Sequence, residues 1–250
     1  MVVWLMATGF ALLAGFLGPV VLLPAFYRVE RVEDPGIADR VGRLAERAGV
    51  RTLGVFQFRS GAKTERETAA LAGLGRTRRI LLSDHILKDY SAREVVGILA
   101  HELAHHVRRD PVRFIVLGAA GSLLGLALLA LLLPATMGSF GIARLEQVAT
   151  LPLFVTLGLL IQTALGPVQR FLSRRREGEA DRRGALLCGD PEALAAALVK
   201  LHDRNLSDAF PPRWVERLFY SHPAGGRRVR RLLDQRNGMI NNQNEKINNL

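Results

Sequence analysis

The chain has 250 residues, with 34 Lys and Arg against 23 Asp and Glu, a formal net charge of +11, and 49% hydrophobic residues. That apolar content excludes a disordered chain. The single cysteine, Cys188, excludes an internal disulfide framework and a four-cysteine zinc site.

Three windows carry no charged residue: 1–27, 114–143 and 147–169. A helix needs about 20 apolar residues to cross a hydrocarbon core roughly 30 Å thick, and each window is long enough. The first lacks a basic n-region and a small-residue cleavage site, so it reads as a retained N-terminal transmembrane anchor rather than a cleaved signal peptide. The second and third are separated only by Arg144-Leu145-Glu146 and read as a helical hairpin spanning 114–169. Residues 28–113 hold 17 Lys and Arg and residues 170–250 hold 16, so 33 of the 34 cations lie in two segments that the hairpin places on one side. The positive-inside rule puts those segments in the cytoplasm and the N-terminus outside. The cations are interleaved with acids and flank the spans, which suits anionic lipid head groups. No nucleic-acid reading motif accompanies them.

In chain order, the cytoplasmic part 28–113 opens with a helix over 35–49, where Ile37, Val41, Leu44 and Ala45 recur at helical spacing. Residues 52–58 alternate and favour a strand, a second short strand falls near 68–74, and Arg79–Ser83 forms another. Ser91 followed by Glu94 is a capping box that starts a helix through Val107, and Pro111 marks its end or a kink into the second span. In the second cytoplasmic part, 170–236, a helix over 170–188 continues the third span. Another helix covers 193–202 with Pro191 in its first turn, and a last one covers 227–235. Residues 237–250 contain six Asn and read as a disordered tail. The fold class expected is mainly α, of α+β type: a membrane-anchored catalytic domain with a small sheet and three transmembrane helices.

His101-Glu102-Leu103-Ala104-His105 is an HExxH sequence inside the capped helix. One helical turn separates the two histidines, so both imidazoles can reach one metal from the same face. Zinc takes such nitrogen ligands and leaves a fourth position to water in catalytic sites. Glu102 is placed to take a proton from that water and return it to a leaving amine. His106 points about 100° away and is a surface residue in this reading. A catalytic zinc needs a third protein ligand. Glu177 is the candidate, and Asp181, one turn on, can accept an N–H from a ligating imidazole. Glu179 has Arg183 four residues on and reads as a surface ion pair.

HExxH followed, after two membrane spans, by Ser173-Arg174…Glu177…Ala180-Asp181 resembles the integral-membrane gluzincins, the HtpX-type proteases and the type I CAAX prenyl proteases. The stretch from Gly73 to Leu87, and Ser221-His222-Pro223 with Arg228-Val229, are similar to further elements of that family. The resemblance implies a gluzincin-like fold, one Zn2+ per chain held by His101, His105 and Glu177, Glu102 as general base and acid, and Asp181 behind the ligands. It further implies His222 and Arg228 near the site, with His222 stabilising an oxyanion, and an edge strand whose Thr68, Ala69 and Ala70 bind substrate backbone by strand addition. Three spans cannot build the seven-span chamber of the prenyl proteases. The substrate class expected is therefore protein or peptide in membrane-protein quality control. The alternative reading is a membrane sensor that cleaves a regulatory protein.

Overall fold

The computed structural model describes residues 27–59, 69–72, 78–204 and 208–248, together with Gly9, with side chains to residue 241. The first apolar window therefore lies outside the described residues apart from Gly9 and Tyr27, as does Thr68. Four short strands form one sheet: β1 (Val29–Arg31), β2 (Val55–Phe58), β3 (Ala69–Ala72) and β4 (Arg79–Ser83), in the order β1-β2-β4-β3. β2 and β4 run parallel, with Val55 opposite Ile80, while β1 and β3 pair antiparallel on either side. β3 is an edge strand, with Ala69 opposite Leu82 and Ala70 opposite Leu81.

The sheet is covered by α1 (Pro35–Arg47) and by α3 (Ala92–Val107), with the short α2 (Asp84–Asp89) leading from β4 into α3. Asp34 caps α1 by accepting from Gly36 and Ile37 N–H groups. Ser91 and Glu94 make both halves of the expected capping box at α3. Val41 and Leu44 of α1, Ile80 and Leu82 of β4, and Val95, Leu99 and Leu103 of α3 are almost wholly buried in one core. α3 is thus fixed along its length before any metal chemistry is considered.

α3 ends at Val107. The chain turns at Arg109 and restarts as α4 (Asp110–Met137), with Pro111 in its first turn. A 3-10 turn (Gly138–Phe140) and a short loop lead into α5 (Thr150–Cys188). Asp110–Phe140 and the first part of α5 are apolar enough to cross a membrane, and side chains such as Leu131, Leu159 and Leu160 are more than half exposed. Exposed Leu in such numbers suits a lipid solvent. At 1.5 Å per residue α5 is about 58 Å long, so about half its length extends beyond a hydrocarbon core and carries Glu177 and Asp181 into the polar domain. The expected continuity of the third span with the helix over 170–188 is found.

α6 (Pro191–Arg204), α7 (Arg213–Phe219) and α8 (Gly225–Asn248) complete the chain. Three elements were not foreseen: β1, three residues long, and the one- to two-turn helices α2 and α7. Segments so short carry almost no periodicity. The tail is a correction. Residues 237–250 were expected to be disordered, yet α8 continues through Asn248. Once α8 has nucleated against α6, extending it costs little per residue, even for polar residues of middling propensity.

Candidate metal centre

His101 and His105 project from one face of α3, and Glu177 and Asp181 from one face of α5. The two helices can approach because Gly184, two turns beyond Glu177, lies against the backbone of His101. A Cβ at Gly184 would stand 2.9 Å from His101 Cα and N, so only glycine permits this separation.

The donor atoms converge. His101 Nε2 is 3.2 Å from His105 Nε2. One Glu177 oxygen lies 3.4 Å from the His101 nitrogen, and its other oxygen lies 3.4 Å from the His105 nitrogen. A tetrahedral zinc with bonds of about 2.05 Å has ligand–ligand edges of roughly 3.3 Å. The two rings also turn carboxylates toward their far sides: His101 Nδ1 lies 2.9 Å from Asp181 Oδ1, and His105 Nδ1 lies 3.0 Å from Asp110 Oδ2. The first approach is close but not aligned as a hydrogen bond; the second is. With the Nδ1 atoms protonated toward carboxylates, both Nε2 atoms present lone pairs to each other and to a carboxylate. Three electron-rich groups at this separation suit a cation between them. His101, His105 and Glu177 thus form a cluster whose ligand atoms lie within 4.8 Å of one another, compatible with metal ligation.

The electrostatics follow from burial and these neighbours. Burial works against a charged His101, but Asp181 and Glu177 beside it outweigh that and lift its pKa to about 9. Burial also works against the Glu177 carboxylate, yet His101, His105 and His222 hold it well below the usual range. Asp181, likewise opposed by burial, is held at about 2 by Arg228 and His101. Glu102 goes the other way, its pKa raised because desolvation dominates. A carboxyl tuned upward is a better proton acceptor near neutral pH.

Arg228, at the start of α8, clamps Asp181 with Nε and Nη2 at 2.7 and 2.6 Å and is nearly buried. His222, between α7 and α8, places Nδ1 3.1 Å from Glu177, with its side chain 59% exposed. Glu216 of α7 holds this segment by accepting from Ala224 N–H at 2.9 Å. A cavity of about 440 Å3 is lined by the three clustered residues with Glu102, His222 and Arg228, and on its apolar side by Ile98, Phe114, Leu194 and Leu198. The structure therefore brings together His101, Glu102, His105, Glu177, Asp181, His222 and Arg228. Ala69 and Ala70 lie on edge strand β3, which packs against α3. Glu179 pairs with Arg183, as its spacing suggested, and also with Arg182 and with Arg108 of the α3–α4 turn. Two residues of the site were missed: Asp110, whose only signal was an acid before Pro111 at the helix break, and Gly184, whose role depends on a helix far away in sequence.

The comparisons agree with this geometry. The sequence profile of Peptidase family M48 matches residues 32–236. "Uncharacterized metalloprotease YhfN" of Bacillus subtilis (strain 168) is 27% identical over 229 residues, covering 88% of this chain and 53% of that protein. A "Protease HtpX homolog" of Paraburkholderia phytofirmans is 34% identical over 169 residues, 60% of this chain and 57% of the relative. The chain thus spans a little over half the length of these relatives. The crystal structure of S. mikatae Ste24p superposes with a TM-score of 0.78 at 23% identity, over 92% of this chain and 57% of that one, which is a likeness of fold. Since the matched span holds α3, α5 and every residue of the cluster, the chain belongs to peptidase family M48.

Proposed function

We propose that the chain is a membrane-embedded zinc endopeptidase. The observation that carries this reading is the close triangle of His101, His105 and Glu177 donors with Glu102 beside it on α3. A zinc ion held by these three residues supplies a Lewis acid that polarises a carbonyl and lowers the pKa of water. Glu102 takes the proton of the attacking water and delivers it to the leaving nitrogen. Asp181, itself held by Arg228, keeps the His101 ring oriented. His222, exposed at the cavity edge, donates to the carbonyl oxygen as negative charge develops there. The stretch Thr68-Ala69-Ala70, whose last two residues open β3, accepts an extended substrate by strand addition.

The two apolar helices and the resemblance of the zinc motifs to the integral-membrane gluzincins support a bilayer setting. The 33 cations flanking the spans support a site facing the cytoplasm of a bacterial-type inner membrane. On that placement the substrates are cytoplasm-facing or partly unfolded membrane proteins, which is a quality-control role. The test compares wild type with Glu102→Gln in detergent, measuring bound zinc and cleavage of casein or self-cleavage. Zinc is expected in both and proteolysis only in wild type. Wild type without zinc, or equal proteolysis in both, would overturn the proposal.

A further inference from the structure

We infer that Asp110 is a positioning residue for the metal centre, the carboxylate that sets the His105 ring, and that through it the membrane-spanning helix α4 is tied to the site. The inference rests on the reading that the His101, His105 and Glu177 cluster holds zinc. It adds to that reading a residue which neither the HExxH stretch nor the Glu177–Asp181 pair contains.

Asp110 is the first residue of α4, the helix that continues as a membrane span. An acid in the first turn of a helix ordinarily faces water, where it complements the helix dipole at little cost. Asp110 is instead completely buried, with 0% exposure. Its Oδ2 accepts from His105 Nδ1 at 3.0 Å and from Arg108 Nε at 3.2 Å. Its Oδ1 makes no hydrogen bond, and Arg113 Nη1 is 3.8 Å away. A buried carboxylate half of whose acceptor capacity is unused is expensive, so a helix-end role alone does not account for it.

The backbone is bent to put it there. Arg109 is the only described non-glycine residue with positive φ, at 56°, between the end of α3 and the start of α4. That left-handed residue breaks the helix between α3 and α4 and leaves the Asp110 carboxylate against the ring five residues earlier. Arg108 then ties the turn to α5, with Nη1 3.2 Å from Glu179 Oε1, two residues from Glu177. Each clustered histidine consequently has its own carboxylate on the Nδ1 side: Asp181 from α5 for His101, and Asp110 from α4 for His105. Such a partner fixes which ring nitrogen carries the proton, aims Nε2 at the metal and raises its basicity. The physical consequence is that the seating of α4 in the bilayer bears directly on the geometry of His105.

The experiment uses the full chain in detergent and reads zinc affinity by competition with a chelator, in wild type, Asp110→Asn and Glu177→Ala. Asn keeps the size and an acceptor oxygen but not the charge. We expect Asp110→Asn to bind zinc about 10- to 100-fold more weakly, with little change in the thermal midpoint of the chelated protein. A purely structural Asp110 would show the reverse pattern: a lower midpoint and unchanged affinity. The visible bands of the Co2+-substituted protein should shift in Asp110→Asn, reporting altered ligand geometry. Asp110→Ser, which keeps a residue suited to opening a helix, covers the case in which Asn misfolds. Wild-type affinity in either folded variant, or failure of both to fold, would overturn the inference. Wild type that binds no more zinc than Glu177→Ala would instead overturn the reading beneath it.

Discussion

Gly184→Ala separates packing from chemistry at this site. Alanine in the interior of a helix ordinarily gains about 1 kcal/mol over glycine. At Gly184 the added Cβ would sit 2.9 Å from His101 Cα and N and 3.1 Å from Ala100 C, all of them backbone atoms that cannot swing aside. Carbon contacts settle near 3.5–4.0 Å, so α5 must retreat from α3 by about 0.6 Å or more. Zinc–ligand distances tolerate only about 0.2 Å. Glu177, on the same face of α5, moves with the helix and draws away from both imidazoles. The substitution should cost about 1–3 kcal/mol of stability by overpacking and weaken zinc binding by at least about tenfold. Gly178→Ala is the internal control. It is adjacent to Glu177, but its Cβ would meet only the tip of Arg231 at 3.5 Å, so it should keep full zinc affinity and gain stability. Thermal unfolding and chelator competition in detergent measure both quantities. A Gly184→Ala protein with wild-type affinity and an unchanged midpoint would show that α3 and α5 do not depend on this contact.

Protons should compete with zinc over a defined range. With the His101 pKa near 9, zinc must displace a proton at neutral pH, so affinity should fall about tenfold for each pH unit from 9 down to 6.5; flat affinity across that range would refute it. In chelated protein the sign reverses. A His pKa raised from 6.5 to about 9 contributes stability that is complete below pH 6.5 and lost as pH rises through 9, so the thermal midpoint in excess chelator should drop across that interval. Arg109→Gly should relieve the left-handed strain at φ 56°, raising stability by about 1 kcal/mol without changing zinc affinity, as unfolding and chelator competition would show.

Much of the molecule was legible because local rules sufficed. The Ser91–Glu94 capping box, the apolar repeat of 35–49 and the uncharged runs of 114–143 and 147–169 each specify an element from neighbouring residues alone. The histidine pair was legible for the same reason, since one helical turn is a matter of spacing. Glu177 and Asp181 could be paired with each other by spacing, and with the histidines through the expected metal chemistry.

What the sequence by itself determined is therefore the longer helices, the apolar spans and the identities of the metal-seeking side chains, because periodicity, capping and charge act within a few residues. Only the tertiary structure decided that Gly184 lies against His101, that Arg228 clamps Asp181, and that the Asp110 carboxylate lies against the His105 ring. The first two join residues 83 and 47 positions apart, and the last depends on a single left-handed residue. Contacts of that kind are set by how closely whole helices pack and how one turn bends, which no local pattern of residues encodes.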